Sequence, residues 1–203
     1  MNWTSLNRIA PLPPEYPVTV DQAKDHLRMD ADSTVDDELV NRYIAAATDW
    51  VEKFTNRSLC EQTWAMRLDD FPRCTSSRGR YIELPKPPGI SVASITYVDT
   101  AGVTQTLATD RYTVVADGWQ PFVCEAYGTT WPSVRSQPGA VTVTYVAGYA
   151  KEGSSYRTNV PDALKAAIWM HVQGQYDNLP AADWQALERA IKNLIEPYRV
   201  RPI

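Results

Sequence analysis

The two histidines, His26 and His171, are the first residues whose side chains could do chemistry. A histidine acts as a general base or binds a metal only when partner groups lie at a suitable spacing. Neither histidine lies in an HExxH pattern or near a CxxC pair, and the sequence contains no GxSxG segment that would mark a serine nucleophile. The sequence therefore predicts no catalytic residue, no metal site and no cofactor.

Three sets of neighbouring acidic residues could do acid–base chemistry: Asp69-Asp70, the Asp-Asp-Glu run at 36–38, and Asp30 with Asp32. Acid–base catalysis needs two carboxylates facing each other across a cleft. Neighbouring residues of a strand point to opposite faces, so we expect Asp69 and Asp70 to lie in the turn before Pro72. The run at 36–38 suits the first turn of a helix, where the dipole favours negative charge. An enzyme using Asp69 or His171 stays an alternative that requires a deep pocket around one of them.

Composition limits the partners that the chain can have. The chain has 203 residues and a net charge of −4, which argues against a protein that grips nucleic acid or anionic membranes. Its apolar runs are too short and too interrupted to span a bilayer. The three cysteines show no CxxC spacing, which indicates synthesis in a reducing compartment.

The N-terminal part of the sequence predicts an arm and two helices. Four prolines among residues 1–17 predict an extended arm, because proline fixes φ and lacks an N–H donor. Thr19 and Gln22 have the spacing of a capping box, which begins the first helix. Apolar residues then recur at three- and four-residue steps from Val35 to Phe54, and predict a second helix about 30 Å long.

The middle of the sequence has the periodicity of strands, and the last part returns to that of helices. Alternating segments between Leu59 and Ala147 predict antiparallel strands, with a hairpin turn at Asp99–Gly102. After residue 158 the helical spacing resumes in two segments that Pro180 separates. Helices with one apolar face must pack on each other, so we expect the two ends of the chain to meet.

These patterns together predict an α+β fold with defined parts. Residues 18–58 and 159–197 form a small four-helix bundle, and residues 59–150 form an antiparallel β-rich insert between helices 2 and 3. Residues 1–17 are the extended proline-rich arm, which is a possible strap between subunits, and residues 198–203 are a C-terminal docking tail.

Several residues are candidates for contact with other proteins, because tryptophan, tyrosine and arginine dominate protein interfaces. In the second helix we expect Tyr43 and Trp50 to pack between subunits. Trp119 and Trp131 lie in turn-like settings, where they either plug the end of the β-rich part or anchor a neighbouring protein. The tail combines apolar and basic residues, as an acidic docking groove requires.

Short motifs in a fixed order carry a resemblance to a known family. The N-terminal helices contribute Pro17–Arg28 (PVTVDQAKDHLR), Asp36–Leu39 with Ile44–Glu52, and Phe54–Arg57; the strands contribute Gln62–Trp64, Ile82–Pro85, Ser94–Tyr97 and Val143–Tyr149; the C-terminal part contributes Val160-Pro161 and Pro197–Val200. Over residues 17–200 the chain resembles the head–tail connector, or adaptor, proteins of long-tailed phages and gene-transfer particles.

The resemblance implies a structural virion protein that is not an enzyme. Relatives form a ring, usually of twelve copies, between the portal and a stopper or tail-completion protein. DNA passes through the lumen without sequence-specific binding, and no membrane is involved. The ring lies at the head–tail interface after assembly in the host cytoplasm. The expected portal-binding residues are Tyr198, Arg199, Val200, Arg201, Pro202 and Ile203.

A different class of function stays open beside this one. A monomeric ligand- or glycan-binding module would use the β-rich insert, with Trp119 and Trp131 as its contact residues. Stacking of aromatic rings on a ligand requires that these rings lie exposed to solvent.

Overall fold

A computed structural model describes residues 3–9, 15–30, 32–73, 80–116, 120–150 and 159–201. The chain divides into two compact units. The sheet unit lies within residues 1–13 and 61–148, and the helical unit lies within residues 14–60 and 149–203. The chain thus enters each unit twice, and each unit is assembled from two separate stretches of sequence.

The described part of the helical unit contains four α-helices. Their bounds are α1 Val20–Leu27, α2 Asp37–Thr55, α3 Asp162–Tyr176 and α4 Ala181–Ile195, and a 3-10 turn at Glu196–Tyr198 follows α4. The predicted capping box begins α1: the Gln22 backbone N–H donates to the Thr19 hydroxyl at 2.9 Å, and the Thr19 N–H donates to Gln22 Oε1 at 3.1 Å.

The prediction of a four-helix bundle is wrong, although the protein is a mixed α+β protein. Helix α3 packs against α1, α2 and α4, whereas α4 packs chiefly against α3. Helix α1 has 8 residues, or about 12 Å of length, and is too short to line a bundle whose other helices have 15 to 19 residues. Helix α3, which contacts the other three helices, lies at the centre of the helical unit.

The described part of the sheet unit contains eight strands in two antiparallel sheets. Their bounds are β1 Trp3–Arg8, β2 Gln62–Leu68, β3 Tyr81–Glu83, β4 Gly89–Val98, β5 Thr104–Thr106, β6 Tyr112–Val115, β7 Phe122–Glu125 and β8 Val141–Ala147. One sheet has the order β1-β2-β8-β4-β5 and the other the order β3-β7-β6. The predicted hairpin turn joins β4 to β5, where the Gly102 N–H donates to the Asp99 carbonyl at 2.9 Å.

Alternation along the central strands places one face of the larger sheet on the core. Along β8, every second residue from Val141 to Ala147 is buried and the residues between them are partly exposed. Strand β1 lies at an edge of this sheet and comes from the segment that the prolines predicted as an arm. Its pairing with β2 gives these residues the ladder that their own sequence pattern did not predict.

Candidate assembly surfaces

The C-terminal segment is attached to the end of α2. Val200 is only 4% exposed, and its N–H donates to the carbonyl of Thr55 at 2.8 Å. Thr55 is the last residue of α2, so its carbonyl has no partner within the helix. Val200 therefore belongs to the core of the helical unit.

The residues next to Val200 in sequence are alternately packed on the helical core and exposed to solvent. Tyr198 is half-buried against the helical core, and its carbonyl accepts a hydrogen bond from Arg57 Nε at 2.6 Å. Arg199 and Arg201 lie exposed, and Arg201 donates to the Glu196 carboxylate at 3.0 Å. The described part of the tail thus offers two arginines to a partner, while Pro202 and Ile203 lie outside the described residues.

The two aromatic residues predicted for subunit packing lie half-buried on α2. Tyr43 packs against the helical core. The Trp50 ring stacks on Phe54 at 5.7 Å between centroids, lies 5.2 Å from His171, and has the ammonium of Lys192 at 6.0 Å. Both residues have intramolecular packing roles, and their part in packing between subunits stays a prediction.

His171 lies in an aromatic cluster and shows no arrangement for catalysis. Its ring is buried between Trp50 and Trp184, with the Trp184 centroid at 5.1 Å. Burial lowers the pKa of the imidazole, and the nearby Glu188 carboxylate partly opposes this shift. Its Nδ1 has no hydrogen-bond partner among the described residues. His171 therefore acts as a packing residue, and its burial favours the neutral imidazole.

Trp131 is buried in the sheet unit. Its ring stacks on Phe71 at 4.8 Å between centroids, and its indole N–H donates to the carbonyl of Arg80 at 3.2 Å. Its backbone N–H donates to Glu125 Oε1 at 2.6 Å. Of the two roles considered for Trp131, closing the end of the β-rich part agrees with the burial of its ring. Trp119 lies outside the described residues.

Tyr127 is a fully exposed residue that the sequence patterns did not single out. It lies in a turn fixed by two backbone hydrogen bonds, from Thr129 N to the Ala126 carbonyl at 3.0 Å and from Ala126 N to the Arg111 carbonyl at 3.1 Å. The Tyr127-Gly128 dipeptide was the pattern that could have revealed it, since Gly128 has a φ of 76°. A fixed turn that displays an aromatic ring is a preorganised contact point.

Asp69 connects three segments of the sheet unit. Its Oδ1 accepts a hydrogen bond from the Thr4 hydroxyl at 2.6 Å and another from the Gly139 backbone N–H at 2.7 Å. These bonds, that from Thr4 first, hold the pKa of the Asp69 carboxyl below its usual range. The neighbouring Asp70 pairs with Arg73, whose Nε donates to it at 2.7 Å. Asp69 is thus an ionised structural tie.

A pocket of about 380 Å³ lies beside this tie in the sheet unit. It is lined by Asp69, Asp70, Arg73, Val134, Ser136, Gln137 and Pro138. Over the described ranges, no group of three or more His, Cys, Asp or Glu residues lies together as a metal site. Among the same residues no helix is long and apolar enough to cross a membrane.

Comparison with known proteins gives one family and several structural relatives. Residues 17–96 match the family described as phage gp6-like head-tail connector protein. The neck of an empty gene transfer agent particle, computed with C6 symmetry, contains a chain with 25% identity and a TM-score of 0.76, over 98% of this chain and 97% of that chain. No curated protein matches the chain.

Two further solved structures are similar over nearly the whole chain. The virion of a native gene transfer agent particle gives 26% identity and a TM-score of 0.75, over 98% of this chain and 96% of that chain. The neck of the native particle, computed with C12 symmetry, gives 25% identity and a TM-score of 0.70, over 98% and 97%. Residues 17–96 thus match the head–tail connector family, and nearly the whole chain has the fold of proteins found in gene transfer agent particles.

Proposed function

We propose that the protein forms a ring, of twelve copies in the particle, which joins the portal to a stopper or tail-completion protein. The observation that carries the proposal is the similarity over 98% of the chain to neck proteins solved with C6 and C12 symmetry. A closed ring of identical copies requires that each copy present two different, complementary surfaces. Assembly takes place in the host cytoplasm, and the ring then becomes part of the neck.

The portal contact is made by the C-terminal segment. Arg199 and Arg201 are exposed, whereas Tyr198 and Val200 fix the base of the segment to the helical unit. A guanidinium binds carboxylates in a planar, two-pronged manner, so the portal groove that receives the segment is acidic. Pro202 and Ile203 extend the contact beyond the two arginines.

The lumen of the ring lets DNA pass without holding it. The net charge of −4 per chain is multiplied around a ring, and a negative or neutral lining does not trap a polyanion. A reconstruction of the ring in the particle checks this point directly. A bore lined by lysine and arginine side chains would contradict it.

The portal contact is tested in particles that carry the double substitution Arg199→Glu and Arg201→Glu. We expect heads that assemble but fail to join tails, because the substitutions place negative charge in an acidic groove. The matched control, Arg199→Lys with Arg201→Lys, keeps both charges and should retain part of the joining. Normal tail joining by the glutamate variant would refute the docking role.

Substitution is a better test than removal of the segment. Truncation before residue 198 would also remove the buried Val200 and its hydrogen bond to Thr55. Loss of tail joining after such a truncation would therefore mix a docking defect with a folding defect. The melting temperature of the glutamate variant should fall only slightly, because the ion pairs that both arginines make with Glu196 lie exposed to solvent.

A further inference from the structure

We propose that Glu196 pairs with the two tail arginines in place of a partner's carboxylates, and that docking on the portal exchanges this internal contact for an external one. The inference rests on the proposed function, since it takes Arg199 and Arg201 as the residues that meet the portal. It adds the regulation of that contact. Before docking, the protein competes with the portal for its own arginines, and this competition weakens binding.

The first observation is that one carboxylate serves both arginines. Arg201 Nη2 donates to Oε1 of Glu196 at 3.0 Å, and Arg199 Nη1 lies 3.7 Å from Oε2 of the same side chain. A guanidinium pairs most strongly when it takes both oxygens of one carboxylate in a planar, two-pronged contact. The two arginines share a single carboxylate here, so a partner that offers a carboxylate to each of them provides the stronger contact.

The second observation is that such a partner can reach the arginines. The side chain of Arg201 is 78% exposed, that of Arg199 is 44% exposed and that of Glu196 is 41% exposed. A carboxylate of the portal can therefore approach all three groups while the helical unit stays folded. Exposed ion pairs are weak because water screens them, so the internal contact is readily replaced by a better one.

The third observation is the position of Glu196 at the C-terminal end of α4. Glu196 directly follows Ile195, the last residue of the helix, and its backbone N–H donates to the Lys192 carbonyl. The C-terminus of a helix carries a partial negative charge, so a carboxylate is unfavourable there unless cations pair with it. Docking takes the arginines away and leaves Glu196 without them at this unfavourable place. A neutral residue at position 196 removes that obstacle to docking.

The fourth observation decides between two roles of Glu196, competition with the portal and preorganisation of the arginines. The guanidinium carbon of Arg199 lies 5.0 Å from the centre of the Phe54 ring. The next residue, Val200, is buried, and its N–H donates to the Thr55 carbonyl at 2.8 Å. These contacts hold the tail without the Glu196 carboxylate. Loss of its charge therefore releases the guanidinium groups and leaves the tail in place, which favours competition.

The test measures the binding of the full-length protein to portal rings isolated from the same particles. The variant Glu196→Gln keeps the shape of the side chain and its hydrogen-bonding oxygen but removes its charge. Its Kd for the portal should be about three- to tenfold lower than that of the unaltered protein at low salt, because two exposed ion pairs no longer compete. The gain should shrink as the salt concentration rises, since salt screens the competing attraction.

Glu188→Gln is the matched control. It removes the same charge from another ion pair of α4, in which Lys192 Nζ lies 2.7 Å from Glu188. Its Kd should stay within about twofold of the unaltered value, because it changes only the net charge. In a protein that also carries Arg199→Ala and Arg201→Ala, Glu196→Gln should give no gain, since the arginines on which the competition depends are absent.

Two results would overturn the proposal, and they differ in what they mean for the proposed function. In the first, Glu196→Gln leaves the Kd unchanged or raises it, while Arg199→Glu with Arg201→Glu still abolishes binding. Glu196 then does not compete for the arginines, and the portal contact itself stands. In the second, the double glutamate variant binds the portal as tightly as the unaltered protein, and the docking role and the competition fail together.

Discussion

The hydroxyl of Thr4 donates a hydrogen bond of 2.6 Å to Oδ1 of Asp69 and so ties the edge strand β1 to the residue that follows β2. The same oxygen accepts the backbone N–H of Gly139 at 2.7 Å. One carboxylate therefore holds three segments that are far apart in sequence, the beginning of β1, the end of β2 and the approach to β8.

Replacement of Thr4 by valine should loosen β1 while the rest of the sheet unit stays folded. Valine keeps the β-branched shape that suits a strand but removes the hydroxyl donor. We expect faster amide hydrogen exchange along residues 4–8 and little change in the exchange of β8, measured by mass spectrometry or NMR. Thr4→Ser, which keeps the donor, is the control and should protect β1 nearly as well as threonine.

The Asp69 tie should also weaken at acidic pH. Its hydrogen bonds lower the pKa of the folded carboxyl below the unfolded value of 3.8. The contribution to stability is therefore present above pH 3.8 and is lost as the pH falls through the folded pKa. Exchange protection of β1 should drop below pH 4 by more than that of β8. Equal loss of protection in both strands would contradict this role of Asp69.

His171 should make the helical unit less stable at mildly acidic pH. Burial lowers its folded pKa below the ordinary value of 6.5. The unfolded chain then binds a proton before the folded chain does, so stability is present above pH 6.5 and falls as the pH drops below this value. Urea midpoints at pH 7.5 and pH 5.5 measure the effect.

The comparison with a His171→Gln variant isolates this contribution. The difference in urea midpoint between the two pH values should shrink in this variant, because glutamine does not titrate. The parallel variant His26→Gln, which removes the other histidine, shows whether the effect belongs to His171 alone. A pH dependence that His171→Gln leaves unchanged would show that another group is responsible.

Gly174 of α3 lies directly against the side chains of α4. A Cβ at this position would lie 2.5 Å from Leu187 Cδ2 and 2.6 Å from Trp184 Cζ3. In an open helix position Gly→Ala stabilises by about 1 kcal/mol. Here we expect Gly174→Ala to destabilise the protein by roughly 1–3 kcal/mol, because the two helices must separate. Urea unfolding measures whether the free energy of unfolding falls or rises in this variant. A rise would show that α3 and α4 accommodate the added methyl group without loss of stability.

Local features of the fold could be predicted from the sequence because their causes lie within a few residues. The capping box of Thr19 and Gln22 and the hairpin turn at Asp99–Gly102 are of this kind. Helix α1 ends at Leu27, where Arg28 adopts a left-handed conformation with a φ of 56°. The sequence did not indicate this ending, because the left-handed conformation after a helix usually falls on glycine or asparagine.

The candidate surfaces were predictable to a smaller degree, since burial depends on distant segments. Tyr198 and Val200 alternate with two arginines, and this period of two was the pattern that could have separated inward from outward residues. Strand β1 was missed because its Trp-Thr-Ser-Leu-Asn-Arg sequence has a single residue, Leu6, that packs on the core. An edge strand with one core contact gains its stability from the ladder, which the sequence alone does not display.

Val200 and Arg201 should respond oppositely in tests of stability and of assembly. Val200→Ala removes two methyl groups from a buried site and should destabilise the helical unit by about 1–3 kcal/mol, measured by urea unfolding. Arg201→Ala removes an exposed side chain that bonds Glu196, so its effect on the free energy of unfolding should stay within about 0.5 kcal/mol.

In particles the two variants should show the opposite ranking of defects. Arg201→Ala should reduce tail joining, whereas Val200→Ala should permit tail joining at temperatures where the variant stays folded. A strong folding defect in Arg201→Ala would show that the arginine serves the chain itself, and would remove the reason to assign it to the portal.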